Sequence, residues 1–186
     1  MISKNYNNFG IFIRVTILFL FIISIVGCTR LDKPNAQLRF EQVVTQHRRD
    51  FNSASTDLQR SNLRASRQRA IQQLDFTTAD NWAGTIVSIG TNRAGKAHVT
   101  IELCKNVFVG TYNNALSDIG SNTLIDNNTD MFRTLSTLNI GDKVRFSGTF
   151  FVRSANPDHF SEMSLTLRGT MRTPTFLMRF TNISRY

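Results

Sequence analysis

Residues 138–148, LNIGDKVRFSG, form the stretch that decides the fold class. From residue 143 onward apolar and polar side chains alternate, as they do in a strand with one buried face. Gly141-Asp142 opens this strand, and Gly148 stands inside it, where a strongly bent strand excludes a side chain. The stretch therefore predicts a coiled strand over residues 143–152.

Five other segments predict strands, because they alternate apolar with polar residues and are rich in β-branched types. They span residues 82–90, 96–104, 107–112, 162–169 and 175–183. A turn with Gly95 joins the first two segments. A polar insertion, residues 113–129, and a short helix at 130–138 precede the strand at 143. Residues 80–186 are thus expected to be a mainly β domain of about five to six strands.

Two motifs carry a resemblance to a known fold. They are W-x-G-x-I-x-x-I at residues 82–89 and L-x-x-G-D-x-V-x-F-S-G at 138–148. Together they resemble the OB-fold, a Greek-key barrel in which a helix joins strands three and four, and in particular the tRNA-anti-like domains of bacterial exported proteins and lipoproteins. The resemblance covers residues 80–183. The insertion at 113–129 and the strand at 162–169 depart from the simple OB pattern.

Residues 36–76 have a helical composition, without Gly or Pro and rich in Gln, Arg, Ala and Leu. Apolar side chains recur there at spacings of three and four, which places them on one face of a helix. These are Phe40, Val44, His47, Phe51, Ala54 and Leu58. The phase of the stripe shifts after residue 58, so the segment is predicted to be one long amphipathic helix or a helix pair. A polar linker, residues 28–35, precedes it.

The helical segment is also rich in arginine. We expect a basic face formed by Arg48, Arg49, Arg60, Arg64, Arg67 and Arg69. Together with Arg145 and Arg168 of the barrel, such a face could bind phosphates or acidic lipids. The alternative is a face that is solvated or packed on the domain or on a partner helix, since arginine is also a good helix former.

The first 27 residues have the pattern of a secretory signal. Lys4 and Arg14 are the charged residues before an apolar run of 13 residues, 15–27. That run is shorter than the ~20 residues that a helix needs to cross a bilayer. A basic region followed by an apolar region of this length is typical of a signal peptide.

The end of this run, IVGC at residues 25–28, resembles the bacterial lipoprotein signal. The resemblance implies a diacylglyceryl group on the Cys28 thiol, cleavage after Gly27 and acylation of the new amine. Acyl chains on one residue anchor a protein stably to a membrane. Thr29 after the cysteine resembles the default that is sorted to the outer membrane, so we expect a domain facing the periplasm.

Composition limits the chemistry. The chain has 22 Lys and Arg against 13 Asp and Glu, a net charge of +9 that becomes +7 without Lys4 and Arg14. Such a charge suits a polyanion or an acidic partner. Cys104 would remain as a single thiol, and its apolar strand predicts a buried one. His47, His98 and His159 show no metal-ligand spacing, so we expect no metal and no cofactor.

Candidate binding residues lie in two places. The insertion concentrates hydrogen-bonding side chains on one connection, at Asn113, Asn114, Ser117, Asp118, Thr123 and Asp126. Loops on a rigid scaffold often bind ligands, but these residue types also make turns and caps with nearby backbone. The OB resemblance implies a second place, the face of strands two and three, where His98 and Tyr112 could lie.

These features predict a lipid-anchored binding module, not an enzyme, with another envelope protein as its partner. No nucleophile elbow, phosphate loop or metal motif occurs in the sequence. One alternative is a module for lipopolysaccharide or nucleic acid, whose binding would fall steeply with salt. A second alternative is a cell-wall hydrolase, which would require Asp118 and Asp126 to meet in one pocket.

Overall fold

A computed structural model describes residues 31–153 and 156–186. The predicted signal segment, residues 1–27, and the predicted lipidation residue, Cys28, lie outside these residues. Within the described residues, no helix is long and apolar enough to cross a membrane.

The described chain contains four helices and seven strands. In chain order they are α1 (Asn35–Ser53), α2 (Asp57–Gln72), β1 (Thr78–Thr91), β2 (Ala97–Cys104), β3 (Val107–Gly110), α3 (Asp130–Leu135), β4 (Lys143–Phe150), β5 (Val152–Arg153), β6 (Asn156–Phe160), α4 (Leu167–Arg172) and β7 (Thr175–Arg185). The helices α1 and α2 occupy the segment for which a helix or helix pair was predicted.

Five of the strands close into a barrel in the order β1-β2-β3-β7-β4. Neighbouring strands are antiparallel except β3 and β7, which are parallel. The helix α3 lies between β3 and β4 in the chain. This order and this connection are those of an OB-fold, so the predicted fold class is confirmed.

Two glycines allow the barrel strands to bend, as the sequence predicts. β1 pairs with β4 through its first half and with β2 through its second half, and Gly84 lies at the change. A Cβ atom on Gly84 would lie 2.7 Å from the Glu102 carbonyl oxygen, and one on Gly148 would lie 2.6 Å from the Arg179 carbonyl oxygen. No side chain fits at either position without moving the neighbouring strand.

The helix α1 contributes to the barrel core. Phe40 is fully buried, and its ring centre lies 5.4 Å from those of Trp82 and Phe150 and 5.0 Å from that of Phe176. Aromatic rings at these separations add stabilisation beyond the area that they bury. The helical segment is therefore part of the folded domain.

Leu58 was predicted to lie on the buried apolar face of the helical segment. This prediction is wrong, because its side chain is 75% exposed. A single helix would have carried it on the buried face of Phe40 and Phe51. The chain instead turns after α1, and Thr56 begins α2 with a capping box that it shares with Gln59. The break places Leu58 in the first turn of a new helix, on its solvent side.

The strand predicted at residues 162–169 is wrong. Glu162 makes one bridge to Phe176, after which the chain enters α4. Thr166 caps that helix by accepting a hydrogen bond from the Gly169 N–H at 3.1 Å, and Leu165 is 79% exposed. Alternating side chains resemble a strand, but a helix cap decides the local structure here. The short pair β5 and β6 was not predicted.

Candidate functional site

The insertion between β3 and α3 is joined to β2 at both of its ends. The Thr111 N–H donates to the Val99 carbonyl at 3.0 Å. At the other end Ile125 and Ala97 form an antiparallel bridge, with N–O distances of 2.8 and 3.0 Å. The residues between these two attachments, 112–124, form a loop on the outside of the barrel.

The buried carboxylate of Asp118 holds this loop in shape. Its Oδ1 accepts hydrogen bonds from the Thr123 N–H at 2.7 Å and the Thr123 hydroxyl at 2.6 Å, and its Oδ2 accepts from the Leu124 N–H at 3.1 Å. Thr123 Oγ1 also accepts from the Tyr112 N–H at 2.9 Å. Hydrogen bonds to a charged acceptor are stronger than neutral ones, so the start and end of the loop are tied firmly together.

A small apolar cluster packs the loop against β7. Tyr112 is buried with Phe151 and Leu177, separately from the main barrel core. The Arg179 guanidinium lies 4.9 Å from the centre of the Phe151 ring, and its Nε donates to the Ser121 carbonyl at 2.6 Å. Tyr112 was predicted on an exposed ligand face, and its burial corrects that prediction.

The outer turn of the loop exposes two large apolar side chains. Leu116 is 80% exposed and Ile119 is 76% exposed, three residues apart. The turn is capped locally, since the Ser117 N–H donates to Asn114 Oδ1 at 2.8 Å. Single exposed leucines are ordinary, and contiguous apolar patches mark interaction sites; here two such side chains lie three residues apart on one braced turn. We call Leu116 and Ile119 the tip of the insertion.

Other predicted polar residues of the insertion have local roles. Asn114 Nδ2 donates to Asn113 Oδ1 at 3.0 Å on the surface. Asp126 pairs with Lys96 at 2.8 Å, and both side chains are about half exposed. Asp118 is buried and occupied by three hydrogen bonds within its own loop. Asp126 and, more weakly, Asp118 both raise the pKa of Lys96, but each carboxylate already has its own hydrogen-bond partners, unlike the free acid and base of a hydrolase.

His98 lies on the outward face of β2, as an OB ligand face would require, and is half-buried. Its register partner in β1 is Gly90. A Cβ atom on Gly90 would lie 3.0 Å from His98 Nε2, so the imidazole rests on the glycine backbone. The histidine thus packs on the barrel wall.

Arg67 was predicted to lie on the basic face of the helical segment. This prediction is wrong for Arg67, because its side chain is 1% exposed. It forms an ion pair with Glu162, donates to the Thr170 carbonyl at 2.6 Å and lies 5.6 Å from the centre of the Phe176 ring. It shares a helix face with Ile71, four residues later, which is also buried. Sequence spacing alone does not show which side of an arginine-rich helix meets the barrel.

The other predicted basic residues make separate contacts. Arg48 donates to the Lys105 carbonyl in the β2–β3 turn, and Arg145 lies 4.7 Å from the centre of the Tyr186 ring. Arg49, Arg60 and Arg69 contact residues of the helical hairpin itself, Arg64 is half-buried and Arg168 is exposed. Arg48 and Arg145 thus contact the β2–β3 turn and the C-terminal residue, whereas Arg49, Arg60 and Arg69 stay on the hairpin, so the contacts do not join all of these arginines into one row.

The Arg67–Glu162 pair is the most deeply buried ion pair among the described residues, with side chains 1% and 6% exposed, and it was not predicted from the sequence. Burial raises the pKa of the Glu162 carboxyl to about 7, against the opposing effect of Arg67. Burial also lowers the pKa of the Arg67 guanidinium. Glu162 Oε2 has no hydrogen-bond partner among the described residues. No local sequence signal links two residues 95 positions apart.

The strand order, the parallel β3–β7 pair and the helix α3 define the class of this domain, an OB-fold barrel with an N-terminal helical hairpin. No protein-family model, curated protein or solved structure matches the chain. What this barrel binds must therefore be inferred from its own side chains.

Proposed function

We propose that this protein is a lipid-anchored bacterial envelope protein that binds another protein through the tip of its insertion. The observation that carries the proposal is the exposure of Leu116 and Ile119 on a loop braced by the buried Asp118. A loop already held in its binding shape loses little conformational entropy on association. Apolar side chains presented in this way are suited to fill a pocket on a partner.

The membrane anchor in this proposal is the lipid on Cys28. The sequence IVGC at residues 25–28 supports it, as does the short apolar run before it. We place the domain on the outer membrane, facing the periplasm. The protein acts by binding, without catalysis and without a cofactor.

A polyanion is a weaker candidate ligand. Arg67 is buried in an ion pair, and the other predicted arginines contact different parts of the fold. A face without a continuous row of cations offers few phosphate contacts, and such contacts supply the salt-dependent part of binding. Lipopolysaccharide or nucleic acid is therefore retained as an outcome of the test below.

The test is capture from solubilised envelopes with the full-length protein and two double variants. One carries Leu116→Ser with Ile119→Ser. The matched control carries Leu58→Ser with Leu165→Ser, which removes two other leucines of similar exposure. We expect a protein partner that is retained at high salt by the wild type and the control, and is lost by the tip variant.

Two results would refute the proposal. One is capture of the same partner by all three proteins, because the tip would then contribute nothing. The other is capture of lipopolysaccharide or nucleic acid alone, released by salt, which would favour the polyanion alternative.

A further inference from the structure

The first residues that the structure describes lie close in the chain to the proposed lipid. Leu31 is the first described residue, three positions after Cys28. Three residues of fully extended chain span at most ~11 Å. Wherever the acyl chains enter the membrane, the part of the domain that holds residue 31 must lie within about that distance of the lipid attachment.

The residues after Leu31 bind to the barrel and do not act as a free tether. The Asp32 N–H donates to the Tyr186 hydroxyl at 2.7 Å. Lys33 Nζ donates to the Leu103 carbonyl at 2.6 Å and pairs with Glu41 at 2.9 Å. The second half of the predicted linker, residues 28–35, is therefore attached to the domain.

Gln37 adds two hydrogen bonds to this attachment. Its side-chain amide donates to the Ala83 carbonyl at 2.6 Å and accepts from the Ala83 N–H at 2.8 Å. Gln37 is fully buried, so it satisfies backbone groups at the bend of β1 that no neighbouring strand reaches. The start of α1 thus cannot leave the barrel without exposing unpaired backbone groups of β1.

The surface around this attachment combines basic, aromatic and apolar side chains. We call it the anchor face, and it consists of Leu38, Arg48, Lys105, Arg145 and Tyr186. Leu38 is exposed in the first turn of α1. Tyr186 is also exposed, and the Arg145 guanidinium lies over its ring. Arg48 reaches the carbonyl of Lys105, two residues after Leu103.

Carboxylates near the anchor face are each engaged by a neighbour. Asp32 lies 3.7 Å from Arg145, and Glu41 pairs with Lys33. Glu102 accepts a hydrogen bond from the Asn106 N–H at 2.9 Å. Arg48 and Lys105 make no ion pair among the described residues, while Glu102 keeps its charge beside them, so the two cations exceed this one unpaired carboxylate on the anchor face.

We propose that the anchor face rests on the lipid headgroups of the membrane leaflet that carries the Cys28 acyl chains, an inference that depends on the lipid anchor proposed above. The chain keeps residue 31 within ~11 Å of the lipid attachment, and the next two residues contact Arg145 and the Leu103 carbonyl, so the anchor face begins at about one Debye length, ~8–10 Å, from the lipid. Exposed tyrosine and basic side chains are the residues that favour a membrane–water interface.

This orientation gives the insertion a defined place. Ala97, which bridges to Ile125 of the insertion, is six residues from Leu103 along β2, a distance of about 20 Å in an extended strand. The attachment to the membrane and the attachment of the insertion therefore lie at opposite ends of β2. With the anchor face on the lipid, the insertion thus attaches to the barrel at the end of β2 farther from the lipid attachment.

The test places a fluorescent label at one of two positions in the full-length lipidated protein. Leu38→Cys labels the anchor face. Arg93→Cys is the control, in the β1–β2 turn at the far end of β2. Both carry Cys104→Ala, and the emission of Trp82, the single tryptophan, checks the fold. Vesicles of phosphatidylglycerol and phosphatidylethanolamine contain a lipid with a nitroxide-labelled headgroup, which quenches nearby fluorophores.

We expect several-fold stronger quenching at residue 38 than at residue 93, at low and high salt. A variant with a flexible Gly/Ser linker of about ten residues before Leu31 should lose most of this difference at high salt, because the short chain no longer holds the face at the lipid and salt screens its charges. Equal quenching of both labels without the linker would overturn the inference. Mass spectrometry of the N-terminal peptide separates the two claims: an unmodified Cys28 refutes the lipid anchor, whereas a lipidated protein with equal quenching refutes the orientation alone.

Discussion

The start of the helical hairpin and the insertion are both held by one buried polar side chain, but with opposite results. Gln37 bonds to the backbone of Ala83 in β1, and so fixes the N-terminal segment onto the barrel. Asp118 bonds to the backbone of its own loop, and so stiffens a segment that projects from the barrel. The same hydrogen-bond chemistry docks one segment and braces the other. The braced segment exposes Leu116 and Ile119 to 80% and 76%, whereas Leu38 of the docked segment is 47% exposed.

The largest effect is expected at the second attachment of the hairpin, where α2 meets Glu162. Arg67→Met should lower the free energy of unfolding by about 3–5 kcal/mol at about pH 8, because it leaves a buried carboxylate without its partner. At about pH 5 the loss should be much smaller, since burial already raises the pKa of Glu162 to about 7 and the carboxyl can take up a proton. Urea unfolding at the two pH values measures the difference.

The sign of this pH effect follows from linkage. The pKa of Glu162 is higher in the folded state than its ordinary value, so the native protein binds the extra proton. In the wild type, the contribution of Glu162 to stability is complete below its ordinary pKa and is lost as the pH rises through about 7. Arg69→Met, at an exposed position of the same helix, is the control. If Arg67→Met lowered the free energy of unfolding equally at both pH values, Glu162 would already be charged at about pH 5, which would contradict the prediction.

Removing the brace of the insertion should have the next largest effect. Asp118→Ala leaves the N–H groups of Thr123 and Leu124 without their acceptor, which should cost about 3 kcal/mol. The loss should be concentrated in residues 112–124, as faster amide exchange there than in the barrel strands. Asp118→Asn keeps one acceptor oxygen, so its stability should lie between those of the wild type and Asp118→Ala. Unchanged amide exchange in the loop would show that Asp118 does not stiffen it. The contrast between a braced insertion and a docked N-terminal segment would then be lost.

Removing Gln37 should have a smaller effect at the other segment. Gln37→Ala leaves both polar groups of Ala83 unpaired, at a cost of about 2 kcal/mol. Amide exchange should rise at Ala83 and through the first turn of α1, while the insertion stays protected. Gln37→Glu is a stringent control, because it keeps the acceptor for the Ala83 N–H but places an oxygen against the Ala83 carbonyl. If both variants were as stable as the wild type, the docking of the hairpin would depend on its other contacts, among them Phe40 and the Arg67–Glu162 pair.

The smallest effect on stability is expected at the tip. Leu116→Ser with Ile119→Ser should change the free energy of unfolding by no more than about 0.5 kcal/mol, since both side chains already lie in water. Thermal unfolding followed by circular dichroism measures this change. A loss of several kcal/mol would show that the tip is packed on the domain, and would remove the reason for treating it as an interaction site.

The fold was readable from the sequence because its signals are local. Alternation over residues 143–152 and the glycines at 84 and 148 directly reflect a bent barrel strand. Where two local signals compete, sequence reasoning fails, as at 162–169, where the Thr166 cap overrides the alternation. The partner of Arg67 is set by tertiary contact, and although Ile71 marks the same helix face, no residue near Arg67 indicates that Glu162 pairs with it.

The candidate site was readable only in part. Asp118 and Thr123 belong to the polar cluster predicted in the insertion, but their role is to hold the loop. The residues that we propose to bind, Leu116 and Ile119, were missed. Their signal is the presence of large apolar side chains within a polar run, and it becomes informative only once the loop is known to project from the barrel.

The most direct test of the central claim is photocross-linking in intact envelopes, with a photoreactive amino acid at Ile119 and, as the control, at Leu165. We predict one discrete protein adduct from position 119, absent from position 165 and unaffected by salt. No adduct at position 119, or the same adducts from both positions, would contradict a protein-binding tip.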